Sequence, residues 1–193
     1  MKKIAVFCGS SDGANPIYKE GAQLLGRELA NRSITLVYGG ASVGLMGAVA
    51  DAVLEQGGEV IGVLPGFLQS REIAHKGLTD LIVVDSMHER KAKMAELADG
   101  FIAMPGGAGT MEEYFEIFTW GQLGLHEKPC GLLNINHYFD SLIAMFDLMI
   151  QEKFMQDKYR SMAITDTTAQ GLLAQFKAYA PPSVKTYLEP GRT

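Results

Sequence analysis

This 193-residue sequence predicts an α/β fold: one Rossmann-like domain with a doubly wound parallel sheet and helices on both faces. Three observations point there. Short β-branched or apolar runs alternate with helical patterns along the whole chain. Each run stops at a glycine-rich or polar turn before the next helix opens. The length and a 47% apolar content suit one sizeable core.

Strands are expected at residues 4–7, 35–38, 60–64, 81–84, 101–104 and 131–135. The first, Ile4-Ala5-Val6-Phe7, stops at Gly9-Ser10-Ser11 and is too short for the apolar centre of a secretory leader. Helix starts are marked by Asn15 before Pro16, by the capping box Ser86-Met87-His88-Glu89, and by Asn136 ahead of a helix over about residues 137–152. The domain is expected to fill residues 1–180. A tail over 181–193, with Pro181, Pro182, Pro190 and Gly191, lacks periodicity and is expected to be loosely held.

Seventeen basic against 22 acidic residues give a net charge of −5. The two signs are interspersed, which argues against a nucleic-acid or membrane-surface partner. No run reaches the roughly 18 apolar residues of a membrane span. Cys8 and Cys130 each lie in an apolar run, as buried reduced thiols of a cytoplasmic protein would. A nucleophilic Cys8 would need an activating base, and no histidine lies near it in sequence.

In a sheet of this kind the ligand crevice is lined by loops leaving the carboxyl ends of the strands. Four stand out, at 9–13, 39–47, 85–91 and 105–113. Gly39, Gly40 and Gly44 sit between a strand and a helix, where backbone N–H groups and the helix dipole favour phosphate or ribose. No Lys-Ser or Lys-Thr pair follows, so this is not a P-loop, and the spacing is wrong for a dinucleotide fingerprint. The alternative is that these glycines serve only the turn and close helix packing.

Pro105-Gly106-Gly107-Ala108-Gly109-Thr110-Met111-Glu112-Glu113 carries more information. A monophosphate at Gly107, Gly109 and Thr110 would leave a carboxylate one helical turn further on free to act on a sugar. The string also fits a capping box in which Glu113 merely bonds the Thr110 backbone. Local sequence leaves both readings open.

Taken whole, the sequence resembles the LOG family of cytokinin riboside 5′-monophosphate phosphoribohydrolases. Residues 105–113 match every defined position of PGGxGTxxE, and Arg90-Lys91 supply a second signature. Further matches are Tyr38-Gly39-Gly40, Gly44-Leu45-Met46-Gly47, Arg71-Glu72-Ile73, Thr119-Trp120-Gly121-Gln122-Leu123-Gly124 and Lys128-Pro129, in order over about residues 4–150. Ala41 and Ala108 depart from common family residues, which bears on substrate preference. The resemblance implies that Arg90 and Glu113 form the catalytic pair. It also implies substrate contacts at Glu72, Lys91, Gly107, Ala108, Gly109, Thr110, Met111, Glu112 and Thr119, and a homodimer. The expected reaction is hydrolysis of a nucleoside 5′-monophosphate to free base and ribose 5-phosphate.

Cleavage of an N-glycosidic bond develops positive charge on the sugar, so a carboxylate that stabilises it and then activates water suits the chemistry. Arg90 keeps its proton and is expected to position Glu113 or substrate, although Glu89-Arg90-Lys91-Ala92-Lys93 also reads as a solvated charged face. Glu116 shares the helix face of Glu112 and Glu113. Met87, Met111 and Trp120 are candidates for an apolar base pocket. His75, His88, His126 and His137 lack metal-ligand spacing, so neither metal nor cofactor is expected. The competing readings are a molybdenum-cofactor or nucleotide carrier of the same architecture and a pyridoxal-phosphate decarboxylase, which would need a Schiff-base lysine. A surplus of apolar surface on the helix over about residues 111–125, with Phe115, Phe118 and Trp120, is expected to serve the dimer.

Overall fold

A computed structural model describes residues 1–69 and 74–184. The Arg71-Glu72-Ile73 signature, with its expected substrate contact Glu72, lies outside the described residues, as does the tail from residue 185. The chain runs β1 (Lys3–Phe7), α1 (Ile17–Asn31), β2 (Thr35–Tyr38), α2 (Gly44–Glu55), β3 (Val60–Pro65), α3 (Gly66–Gln69), β4 (Asp80–Val84), α4 (Met87–Leu97), β5 (Gly100–Ala103), α5 (Ala108–Gln122), β6 (Cys130–Leu133), α6 (Asp140–Gln151), β7 (Ala163–Asp166) and α7 (Ala169–Ala178). Short 3₁₀ turns, Ile135–His137 and Asp157–Met162, precede α6 and β7.

All seven strands are parallel, in the order β4-β3-β2-β1-β5-β6-β7. Successive residues of a strand face opposite sides, and the two faces bury different helices. Ile4, Val6, Leu36, Tyr38, Ile102 and Met104 pack with the layer of α1, α2 and α7. Ala5, Phe7, Val37, Phe101, Ala103 and Leu132 pack with α4, α5 and α6. The doubly wound expectation therefore holds, and every expected strand is present to within a residue or two at its ends. Among the described residues, no helix is long and apolar enough to cross a membrane.

Two of the three helix starts form much as expected. Asn15 Oδ1 accepts the Ile17 amide at 3.1 Å. Ser86 Oγ accepts the Glu89 amide at 3.1 Å, while Glu89 closes the box one residue early, accepting the Asp85 amide at 2.8 Å. The third start is displaced. Asn136 and His137 take left-handed conformations, φ 51° and 59°, so the chain cannot enter a helix at 137. Instead Asn134 Oδ1 accepts the Phe139 amide at 2.7 Å and α6 begins at Asp140. The pair β7 and α7 was not anticipated: Ala163-Ile164-Thr165-Asp166 is four residues long and apolar at only one end, below what periodicity can detect.

Candidate active site

From β1 the chain winds towards β4 on one side of the sheet, and from β5 towards β7 on the other. Loops leaving this pair of neighbours diverge and open a crevice at their carboxyl ends. A cavity of about 310 Å³ occupies it, bounded by Phe7 and Cys8 of β1 and its loop, Gly39, Met87 and Arg90, and Thr110 and Glu113 of α5.

Arg90, in the first turns of α4, and Glu113, in the second turn of α5, meet across the cavity. Their side chains are 11% and 13% exposed, and Arg90 Nη2 lies 3.9 Å from Glu113 Oε1. That distance is electrostatic contact without a hydrogen bond. Arg90 Nε is buried and meets no acceptor among the described residues, while Nη1 reaches only the Met87 sulfur, at 3.8 Å. A buried guanidinium with donors left over is unusual in a purely structural setting. Burial raises the Glu113 carboxyl above its ordinary range; Arg90 and Lys91 oppose this, and Glu112 and Glu116 reinforce it. Arg90 is therefore no solvated helix-face residue.

The capping-box reading of Glu113 fails on geometry. Gly107 is the N-cap of α5, and Thr110 lies inside the first turn. The amides of Ala108, Gly109 and Thr110 meet no acceptor among the described residues. A Cβ at Gly107 or Gly109 would touch nothing within 4 Å, so these glycines leave open space at a helix N-terminus that points into the crevice.

The 39–47 loop behaves differently. The Leu45 and Met46 amides that open α2 both donate to the Gly9 carbonyl, at 3.1 and 3.4 Å. The start of α2 is thus occupied by backbone, and a Cβ at Gly44, whose φ is +60°, would overlap the backbone of Ser10 and Ser11. Close packing is what Gly44 serves. Gly40, at φ +77°, gives its carbonyl to the His75 amide at 2.9 Å. Gly39 has a different task, because a Cβ there would overlap the Arg90 guanidinium; its bare backbone is the seat on which Arg90 rests.

Of the other expected contacts, Lys91 and Glu112 are engaged with each other. Lys91 Nζ lies 2.5 Å from Glu112 Oε1 and 2.8 Å from Glu116 Oε2, with the lysine 8% exposed. Burial alone would lower its ammonium, but its pairing with the two carboxylates outweighs that and raises it. Ala108 is exposed, Met111 packs with the α4–α6 layer and Thr119 is exposed two turns beyond Glu113, and none of the three lines the cavity. Met87 does line it, joined by Met46 and Met94, which sequence reasoning missed, whereas Trp120 packs elsewhere.

Tyr138 was also missed. Its hydroxyl donates to the Gly106 carbonyl at 2.6 Å, and its ring meets Tyr18 edge-on at 5.7 Å. The two rings wall a second cavity of about 510 Å³ that shares Gly9, Ser10 and Gly107 with the first. No local signal links Tyr138 to a loop 32 residues away. Cys8 and Cys130 are free and buried, and burial pushes both thiols well up, which disfavours a thiolate nucleophile at Cys8. The histidines face elsewhere: His75 bonds Asp51 at 2.9 Å, His126 the Ile117 carbonyl at 2.8 Å, and His137 pairs with Asp140 at 3.2 Å, while His88 is exposed.

Residues 46–176 match the sequence model of a family described as possible lysine decarboxylase. The chain is 48% identical over 181 residues, covering 94% of itself and 83% of its relative, to the cytokinin riboside 5′-monophosphate phosphoribohydrolase LOG7 of Arabidopsis thaliana. It is 45% identical to the LOG phosphoribohydrolase of Oryza sativa subsp. japonica, covering 94% and 75%. Among solved structures, the molybdenum cofactor binding protein of Rippkaea orientalis superposes with a TM-score of 0.68 at 22% identity, covering 92% and 96%. The molybdenum cofactor carrier protein of Chlamydomonas reinhardtii gives 0.69 at 20%, with the same coverage. These two likenesses establish fold alone.

Proposed function

The chain belongs to the LOG phosphoribohydrolase family, and on that premise we propose that it hydrolyses the N-glycosidic bond of nucleoside 5′-monophosphates, releasing free base and ribose 5-phosphate. The observation that carries the reading is the pairing of a desolvated carboxylate and an undersupplied guanidinium one turn beyond an open helix N-terminus. The phosphate sits on the Ala108, Gly109 and Thr110 amides, where the helix dipole favours an anion. The sugar then lies over Glu113. As the bond to the base breaks, its electron pair leaves with the base nitrogen, and the ionised carboxylate stabilises the positive charge left at the anomeric carbon. The carboxylate next accepts a proton from the water whose oxygen bonds that carbon, and a proton passes through solvent to the departed nitrogen, giving free base and regenerating the carboxylate. Arg90 stays charged, and its free donors hold substrate oxygens and keep Glu113 in place. Cys8 and Cys130 suit a cytoplasmic enzyme.

The decarboxylase label inherits nothing from this site. No lysine lines the cavity among the described residues, and Lys91, beside Arg90 in sequence, is an ammonium paired with two glutamates, and so is not a free amine for a Schiff base. A carrier of the same fold has no use for a carboxylate beside its anion. The deciding experiment incubates the protein with AMP and with its N6-isopentenyl derivative and measures free base and ribose 5-phosphate. Both products in equal amounts are expected. Tight nucleotide binding without base release would favour the carrier.

A homodimer belongs to the same proposal, on different surface from that first expected. Phe118 is buried and Phe115 packs on Phe146 at 5.8 Å, so α5 covers its aromatic residues within the chain. Among the exposed apolar residues, Met145 and Leu148 of α6, 47% and 45% exposed, lie near Phe154 just after it, 88% exposed, while Leu123 and Leu125 beyond α5 are 42% and 37% exposed. Light scattering is expected to give a dimer mass, and Leu148→Glu with Phe154→Glu to shift it towards monomer. An unchanged mass in the variant would remove this face from the interface.

A further inference from the structure

We propose that Lys91 is a positioning residue for Glu113, acting by clamping Glu112 and Glu116 to α4, and not a contact for the substrate. The proposal rests on the assignment of Glu113 as general base. Its geometry is a two-layer interdigitation: neighbouring residues Arg90 and Lys91 of α4 meet neighbouring carboxylates of α5, with Arg90 on Glu113 and Lys91 on Glu112 and Glu116. Lys91 Nζ, in an 8% exposed position, donates a hydrogen bond to Glu112 Oε1 and forms an ion pair with Glu116 Oε2 at 2.8 Å. The side chain does not line the cavity that contains Arg90, Thr110 and Glu113. A nucleotide phosphate would have to displace two carboxylates already held by Lys91, beside an open helix N-terminus that needs no such exchange.

The clamp does two things. It fixes the separation of α4 and α5 on the side away from the cavity, and so sets how closely Arg90 approaches Glu113. It also offsets two negative charges that flank Glu113. Among the described residues, the charged or titratable groups facing Glu113 are Arg90 and Lys91 from α4, Glu112 and Glu116 from α5, and Cys8 just after β1. With Lys91 removed, Glu112 and Glu116 remain as uncompensated like charges, and a like charge favours the protonated form of a neighbouring carboxyl. The general base would then ionise only at higher pH.

The test compares Lys91→Met, Lys91→Arg and the charge-free triple variant Lys91→Met, Glu112→Gln, Glu116→Gln with wild type, reading kcat and KM for AMP across about pH 5–9 along with Tm. Lys91→Met is expected to shift the acid limb of kcat to higher pH and to lower kcat about tenfold on that limb, with KM within about threefold. The triple variant is expected to bring the limb back to the wild-type position or below it, because no flanking charge remains. Lys91→Arg is expected to retain the wild-type limb, which keeps the idea testable if Lys91→Met folds poorly. A rise in KM of about tenfold or more in Lys91→Met with an unmoved acid limb would make Lys91 a substrate contact and overturn the proposal. So would a fall in Tm alone with the pH profile intact. Failure of the Glu113 assignment is read separately, from wild-type-like turnover in Glu113→Gln.

Discussion

Glu113→Gln is expected to lower the rate of base release by about 10²–10⁴-fold while nucleotide affinity stays within about tenfold. The amide keeps the shape of the side chain and loses the charge, so what disappears is stabilisation of the sugar cation and proton transfer from water. The same variant is expected to have a Tm at or above wild type near neutral pH. Glu113 has a raised folded-state pKa because burial penalises its ionised form. A group shifted this way contributes stability below its unfolded pKa and loses it as pH rises through the folded value, so at neutral pH its charge costs stability that glutamine does not. Loss of activity with no loss of Tm separates a catalytic carboxylate from a structural one. In wild type, kcat should fall on the acid side at a pH above the ordinary glutamate range. Turnover close to wild type in Glu113→Gln would leave the crevice without its base.

The second large effect expected is on the substrate: removal of the 5′-phosphate should reduce kcat/KM at least about a hundredfold, roughly 2.7 kcal/mol. The Ala108, Gly109 and Thr110 amides at the start of α5 have no acceptor among the described residues and can each donate to a phosphate oxygen. Hydrogen bonds to a charged group contribute about 1.5–3 kcal/mol each, so two suffice. A neutral hydroxymethyl group gains little from the same donors. Because the phosphate is remote from the bond that breaks, its binding holds the anomeric carbon over Glu113, and kcat should fall along with affinity. Adenosine against AMP under one set of conditions measures this. Equal cleavage of the two would detach the 105–113 loop from phosphate and describe an ordinary nucleosidase.

The fold was legible because its signals are local. Alternation of short apolar runs with capped helices is written within stretches of ten to fifteen residues, and Asn15 and Ser86 mark their helices by bonds spanning two or three positions. Where that failed, longer-range contacts had taken over. Asn134 reaches five residues ahead to start α6 past a left-handed pair, and β7 is held as an edge strand by pairing with β6 over a weakly apolar run.

The sequence alone determined the doubly wound class, the family, and the loop in which Glu113 stands, since PGGxGTxxE is a contiguous string. Only the tertiary structure decided what its neighbours do. Glu89-Arg90-Lys91-Ala92-Lys93 reads the same whether its charges face water or protein, yet packing of α4 against α5 buries Arg90 and Lys91 and sends them to different carboxylates. Gly39 and Gly44 look alike in a glycine-rich loop. One gives Arg90 its seat and the other makes room for the Ser10 backbone, because residues far apart in sequence pass through those two points in space. Charge, desolvation and close approach are set by what lies within a few ångströms, and a sequence read locally does not contain those distances.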